Sequence, residues 1–281
     1  MKKIVLPTDF SENAWNAIFT GLKLYADTEC EFYVLHSYEP HMPNMLARKG
    51  QQRLGLIYDS LSKYSTGELD RILEYLSKNH GNPNHSFKTL SKSGTLEETL
   101  QHMATTKDID LIVMGTQGAS GLKEVFMGSN TVKILKKIKD CPILVVPAGY
   151  NFQRLKTLAF PTDFTRTFEK FELLPLIELA KLWKAKVRIV RVADEPGLKD
   201  IQQANMKILE ERLNMISYTY EDAEFHANVS GSIEKYVQET EIELIAMIRY
   251  HHTFWEKIIG EPVVKKIAFH SHVPLLMLPE H

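Results

Sequence analysis

Four glycines fall within Met114–Thr131, MGTQGASGLKEVFMGSNT, directly after the apolar run IDLIVM. Glycine is unfavourable inside regular structure, so this density points to a backbone that turns sharply or comes close to a ligand. The spacing is Gly115-x2-Gly118-x9-Gly128-Ser129. It matches neither the Walker pattern nor the dinucleotide G-x-G-x-x-G. Gly115 and Gly118 would let a ligand approach the chain without a Cβ in the way. Gly128-Ser129-Asn130-Thr131 would open a helix, whose free N–H groups and dipole suit a phosphate, with the Ser129 and Thr131 hydroxyls adding hydrogen bonds. The same residues also suit a plain strand-to-helix connection capped by Ser129 or Asn130. Glycine content alone leaves both readings open.

Other chemistry is thinner. His251-His252 lies among Tyr250, Phe254 and Trp255, and His226, His270 and His272 follow no metal-ligand spacing. Adjacent histidines tend to point apart, so packing is expected there and no metal site is assigned. Phosphoryl transfer needs Mg²⁺ ligands, a positioned water and cations near the γ-phosphate. Asp9 and Lys123 are isolated candidates, and no catalytic residue is assigned.

The elements that must position the loop are legible from periodicity. The chain has 281 residues, net charge −1 and two distant cysteines, Cys30 and Cys141. Length predicts two domains, and an internal repeat bounds them as 1–150 and 151–281. Charge gives no general field for nucleic acid or membrane, no apolar run reaches a spanning length, and cysteine usage fits a reducing cytoplasm. KIVLP, CEFYVLH, HSFKTLSKSG, IDLIVM and PILVVP read as strands. Between them lie a helix with Ala14, Ile18, Leu22 and Tyr25 on one face, a long helix after a loop containing Pro40, Pro43 and Gly50, a helix capped at Thr95 with Glu98, and SNTVKILKKIK. Continuous apolar strands alternating with helices predict a parallel sheet covered on both faces. Ligands of such sheets sit beyond the strands' carboxyl ends, where Pro7-Thr8-Asp9, His36-Ser37 and the glycine loop should converge.

The pattern is written twice. PTDF recurs at 161–164, KSGTLEETL is echoed by VSGSIEKYV, DLIVMG by ELIAMI, and CPILVVP by VPLLMLP, with the join near AGYNFQR, 148–154.

The glycine spacing, PTDFS, SGTLEETL and CPILVVP together resemble the ATP-binding type of the universal stress protein family, in a tandem arrangement covering nearly the whole chain. The resemblance implies an α/β fold of two tandem open parallel five-stranded sheets, order 3-2-1-4-5, with helices on both faces. It implies ATP, with or without Mg²⁺, as ligand. Asp9 and the backbone near Ser37 would meet adenosine, with Pro7, Thr8, Met114 and Gly115 lining base and ribose. Gly118, Gly128, Ser129 and Thr131 would receive phosphates, with Gln117 and Asn130 as further contacts. Asp9 has its own alternative, as a cap of the first helix. In that family the last strand pairs across a two-fold axis, so Ile143–Val146 is expected to pair with Leu275–Leu278 in one chain, with Val145 beside Met277. The chain would be a pseudo-dimer, further homodimerisation left open.

The second half lacks the signature. Ile248 stands where Gly115 would be, and Glu261-Pro262 replaces Ser129-Asn130. A carboxylate there repels phosphate, and proline removes an N–H donor. The implied function is a cytosolic stress-response protein whose first domain binds ATP, acting as a nucleotide-dependent sensor or regulator with an unknown protein partner. The alternatives are a slow ATP hydrolase and a nucleotide-free interaction scaffold.

Overall fold

The computed structural model describes residues 1–40, 48–116, 128–193, 197–226, 228–248 and 272–280. The first set of elements runs β1 (Lys2–Pro7), α1 (Glu12–Leu24), β2 (Cys30–Tyr38), α2 (Arg48–Asn79), β3 (His85–Ser93), α3 (Leu96–Thr106), β4 (Leu111–Gly115), α4 (Ser129–Lys137) and β5 (Ile143–Val146). The second set runs β6 (Thr157–Pro161), α5 (Lys170–Trp183), β7 (Lys186–Ala193), α6 (Asp200–Leu213), β8 (Tyr218–Glu224), α7 (Val229–Glu239), β9 (Leu244–Ile248) and β10 (Leu275–Leu278). Gly50, expected in a loop, lies inside α2.

Each set is parallel within itself, in the expected order 3-2-1-4-5. The two are not separate sheets, however. They join in one ten-stranded sheet, β3-β2-β1-β4-β5-β10-β9-β6-β7-β8. The join is antiparallel, with Leu275 opposite Val145, Leu276 opposite Leu144 and Met277 opposite Ile143. The seam is the expected pair of strands, but the neighbour of Val145 is Leu275 and not Met277. Both strands are buried along their whole length, so the apolar edge that each set would expose alone is covered by the other.

Alternation along the strands sorts the core into two layers. Ile4 and Leu6 point to one face with Ile18 of α1, Leu69 and Leu76 of α2, Leu176 of α5 and Leu209 of α6. Val5 points to the other, with Leu100 of α3, Ile134 of α4 and Ile233 of α7. Both layers contain residues of both strand sets, so the core runs unbroken across the seam. The connecting segment is anchored as well. Phe152 and Leu155 are buried, Phe152 meets the Trp183 ring edge-on at 5.1 Å, and the Trp183 indole N–H donates to the Leu24 carbonyl at 2.9 Å.

Candidate functional site

At the carboxyl ends of β1, β2 and β4 lies a cavity of about 340 Å³. Pro7, Thr8 and Asp9 enter it from the end of β1, His36 and Ser37 from β2, Met114 and Gly115 from β4. Gly128, Ser129, Asn130 and Thr131 line it from the start of α4. Ala14 and Leu96 complete the wall; both read as helix residues in sequence, with no signal for a site. Ten of the twelve expected site residues thus converge. Gln117 and Gly118 lie outside the described residues.

The start of α4 differs from the other helices of its set that have described starts. Ser11 caps α1 by accepting from the Ala14 N–H at 3.2 Å, and Thr95 caps α3 by accepting from the Glu98 N–H at 3.2 Å. The cap of α4 is Gly128, with no side-chain hydrogen bond; neither Ser129 nor Asn130 serves. The first N–H groups of a helix have no partner within it, so those of α4 point at whatever fills the cavity. The Gly128 N–H itself donates to the Thr116 carbonyl at 2.7 Å, which ties the start of α4 to the end of β4. The Thr131 hydroxyl is committed elsewhere: it is buried and donates to the Gly115 carbonyl at 3.1 Å. It ties α4 to β4 rather than presenting a proton to a ligand.

Gly115 also has a packing reason. A Cβ there would stand 2.7 Å from Asn13 Cγ and 3.1 Å from the Asn13 carbonyl oxygen. Asn13 is buried on α1. In the second set Ile248 stands at this position, and Thr167, at Asn13's position, is exposed and precedes α5, which starts at Lys170.

The Thr-Asp-Phe turn is built alike in both sets. Asp9 Oδ1 accepts from the Ser11 N–H at 3.1 Å and hydroxyl at 2.6 Å, and the Phe10 N–H donates to Thr8 Oγ1 at 3.0 Å. Asp163 accepts from the Thr165 N–H at 3.0 Å and hydroxyl at 2.7 Å, and the Phe164 N–H donates to Thr162 Oγ1 at 3.1 Å. Phe10 and Phe164 both take positive φ, 67° and 56°, unusual for aromatic residues. Asp9 therefore orients Ser11, and the cap of the first helix is Ser11 itself, not Asp9 as the sequence alternative had it.

His36 is the cavity residue with the most developed support. Its Nδ1 lies 2.8 Å from the Ser65 hydroxyl of α2, which lies 2.7 Å from the Ser91 hydroxyl of β3. Its ring sits 4.4 Å from that of Phe10. Burial holds the imidazole below its ordinary pKa, with the Asp9 carboxylate pulling the other way. In the second set the register puts Arg191 at this position and Asp222 opposite it. Arg191 forms a two-pronged bond to Asp222, 2.8 Å on each prong, and also donates to the Gly197 carbonyl. Between β6 and β9 the described residues leave a cavity of about 30 Å³, walled by Arg166 and Phe168. The Arg166 guanidinium lies over the Phe168 ring at 5.0 Å and pairs with buried Glu172 at 3.0 Å.

Of the histidines weighed for a metal, His226 sits 2.6 Å from Lys235 Nζ and 3.2 Å from Glu224, while His251, His252 and His270 lie outside the described residues. Among the described residues, no three of His, Cys, Asp and Glu come together in a metal-binding group. Nor is any described helix long and apolar enough to cross a membrane.

The model of the universal stress protein family matches residues 1–147, just over half of the sequence. The chain belongs to the universal stress protein family. Membership puts it among stress-response proteins. Two universal stress proteins of Methanocaldococcus jannaschii are similar to it. One is 28% identical over 145 residues, covering 52% of this chain and 81% of the relative; the other is 27% identical over 158 residues, covering 52% and 94%. A solved universal stress protein from Archaeoglobus fulgidus superposes on 99% of this chain and 96% of its own with a TM-score of 0.65, at 16% identity. The universal stress protein fold therefore extends over both strand sets.

Proposed function

We propose that the cavity binds an adenine nucleotide, ATP first among them, and that the protein acts in the cytoplasm as a nucleotide-dependent sensor or regulator of the stress response. The observation that carries the reading is the start of α4, a nine-residue helix without a side-chain cap whose first residues line a cavity at the strands' carboxyl ends. Helix N-termini favour anions through free N–H groups and the helix dipole. The Gly128, Ser129 and Asn130 backbone would hold phosphates, and Pro7, Thr8 and Ser37 would bound the nucleoside. Asp9 and His36 are the ionisable groups among the described lining residues, a set suited to binding more than to phosphoryl transfer. Two free, buried thiols support the compartment.

Calorimetry with ATP, with and without Mg²⁺, on wild type and Ser129→Glu tests this. Glutamate in the first turn suits the helix dipole, so the variant keeps its fold while its carboxylate repels phosphate. Binding by wild type and its loss in the variant are expected. Equal affinity in the two proteins would refute the site.

A further inference from the structure

Ser65 is wholly buried and stands between two partners, with one hydroxyl proton to give. If that proton goes to Ser91, His36 Nδ1–H donates to Ser65 and Nε2 is left as an acceptor. If it goes to His36 Nδ1, the ring carries its own proton at Nε2, which becomes a donor. Either way Nδ1 is engaged, and Nε2 has no protein partner among the described residues. His36 is among the residues that line the cavity. Nε2 is not among the fully buried atoms, so it is open to a partner from outside the protein.

Contrast with the second set separates this from ordinary packing. At the matching register, Arg191 is satisfied from within the protein by Asp222 and Gly197, and it is not among the residues that line the small cavity of its set. In the first set the same position carries a ring that lines the cavity, with one nitrogen left over. The sheet order β2-β1-β4 puts His36 two strands from the loop that leads to α4, roughly 10 Å at ordinary strand spacing. That separation suits the nucleoside end of a nucleotide whose phosphates lie at α4.

We propose that His36 is a ligand-reading residue, its Nε2 hydrogen-bonding the nucleoside part of the bound nucleotide, with Ser65 and Ser91 as positioning residues. The proposal rests on the nucleotide reading above. A hydroxyl of the sugar, or the donor-and-acceptor edge of the base, answers Nε2 in either proton arrangement.

The test compares ATP with inorganic tripolyphosphate, which offers the phosphates without the nucleoside. His36→Phe should weaken ATP about three- to tenfold, the range of one hydrogen bond, and leave tripolyphosphate affinity unchanged. His36→Gln should keep most of the affinity, and Ser65→Ala should show a smaller loss with the same selectivity. In wild type, ATP should shift the ¹⁵N resonance of His36 Nε2, an independent readout if His36→Phe does not fold. An equal loss for both ligands, an unchanged ATP affinity, or an unmoved Nε2 resonance would overturn the assignment while leaving the nucleotide site standing. If wild type binds neither ligand, the nucleotide reading itself fails and this inference with it.

Discussion

Gly115 of β4 and Asn13 of α1 are in such close contact that no side chain fits between them: a Cβ on Gly115 would lie 2.7 Å from Asn13 Cγ. A glycine read in sequence as a place for close ligand approach is thus also a packing residue. Gly115→Ala should destabilise the protein by about 1–3 kcal/mol, the usual cost of overpacking. Asn13→Gly in the same chain should recover part of that loss. Urea denaturation of the two single variants and the double would measure the coupling; purely additive effects would contradict it.

The seam gives a geometric prediction. Val145 and Leu275 face each other directly in an antiparallel pair, where Cα atoms stand about 4.5–5.5 Å apart, within disulfide range. Val145→Cys with Leu275→Cys should form a cross-link within one chain, seen as a gel shift reversed by reductant. Val145→Cys with Met277→Cys sits on the diagonal, about 7–8 Å apart, and should link poorly.

Acid should act on His36. Burial depresses its folded pKa below the unfolded value near 6.5, so its contribution to stability is present above that value and is lost as pH falls through the folded pKa. Between about pH 7 and 5, the unliganded wild type should lose more stability than His36→Gln. Parallel pH profiles of the two proteins in thermal melts would count against it.

Glu234 on α7 has the opposite sign. Burial pushes its carboxyl up to about 7, and its Oε1 has no partner among the described residues. A raised folded pKa makes stability fall as pH rises from near 4.5 toward 7. Glu234→Gln should therefore be more stable than wild type at pH 8 by on the order of 1 kcal/mol, discounted for partial exposure, and show no such gain at pH 4.5. Melting curves at the two values decide it.

Arg191 and Asp222 form the last case. Their two-pronged bond holds the Asp222 carboxyl below the usual range. Arg191 is buried while Asp222 is largely exposed. Removing the carboxylate by Asp222→Ala should cost about 1–3 kcal/mol, because the guanidinium stays behind in the protein. Arg191→Met, which removes the buried charge and keeps the volume, should cost less. A reversed order would contradict this reading.

Much of this architecture was legible in the sequence because it rests on period. Alternating apolar strands and the face Ala14, Ile18, Leu22, Tyr25 needed only local rules, and all four of those residues are buried. The seam was legible as a pair of strands but not in register. A shift of two residues keeps every side chain on its face, so Val145 beside Met277 and Val145 beside Leu275 satisfy the same alternation. The Asn13–Gly115 contact and the His36–Ser65–Ser91 chain were not legible. Their members lie on different elements, 29 and 26 residues apart within the hydrogen-bonded chain, and no periodicity links them. The role of Asp9 fell between these cases: PTDF was legible as a repeat, but only the structure shows that Asp9 and Asp163 build the same turn, the second without the glycine signature.

Because β5 and β10 belong to one polypeptide, the join between the two sets obeys different mass action from a join between separate chains. Two chains held by such a seam come apart on dilution, and their melting temperature falls with concentration. Here the partner strand is tethered, its effective concentration fixed by the intervening chain. The sheet should therefore stay whole at any dilution.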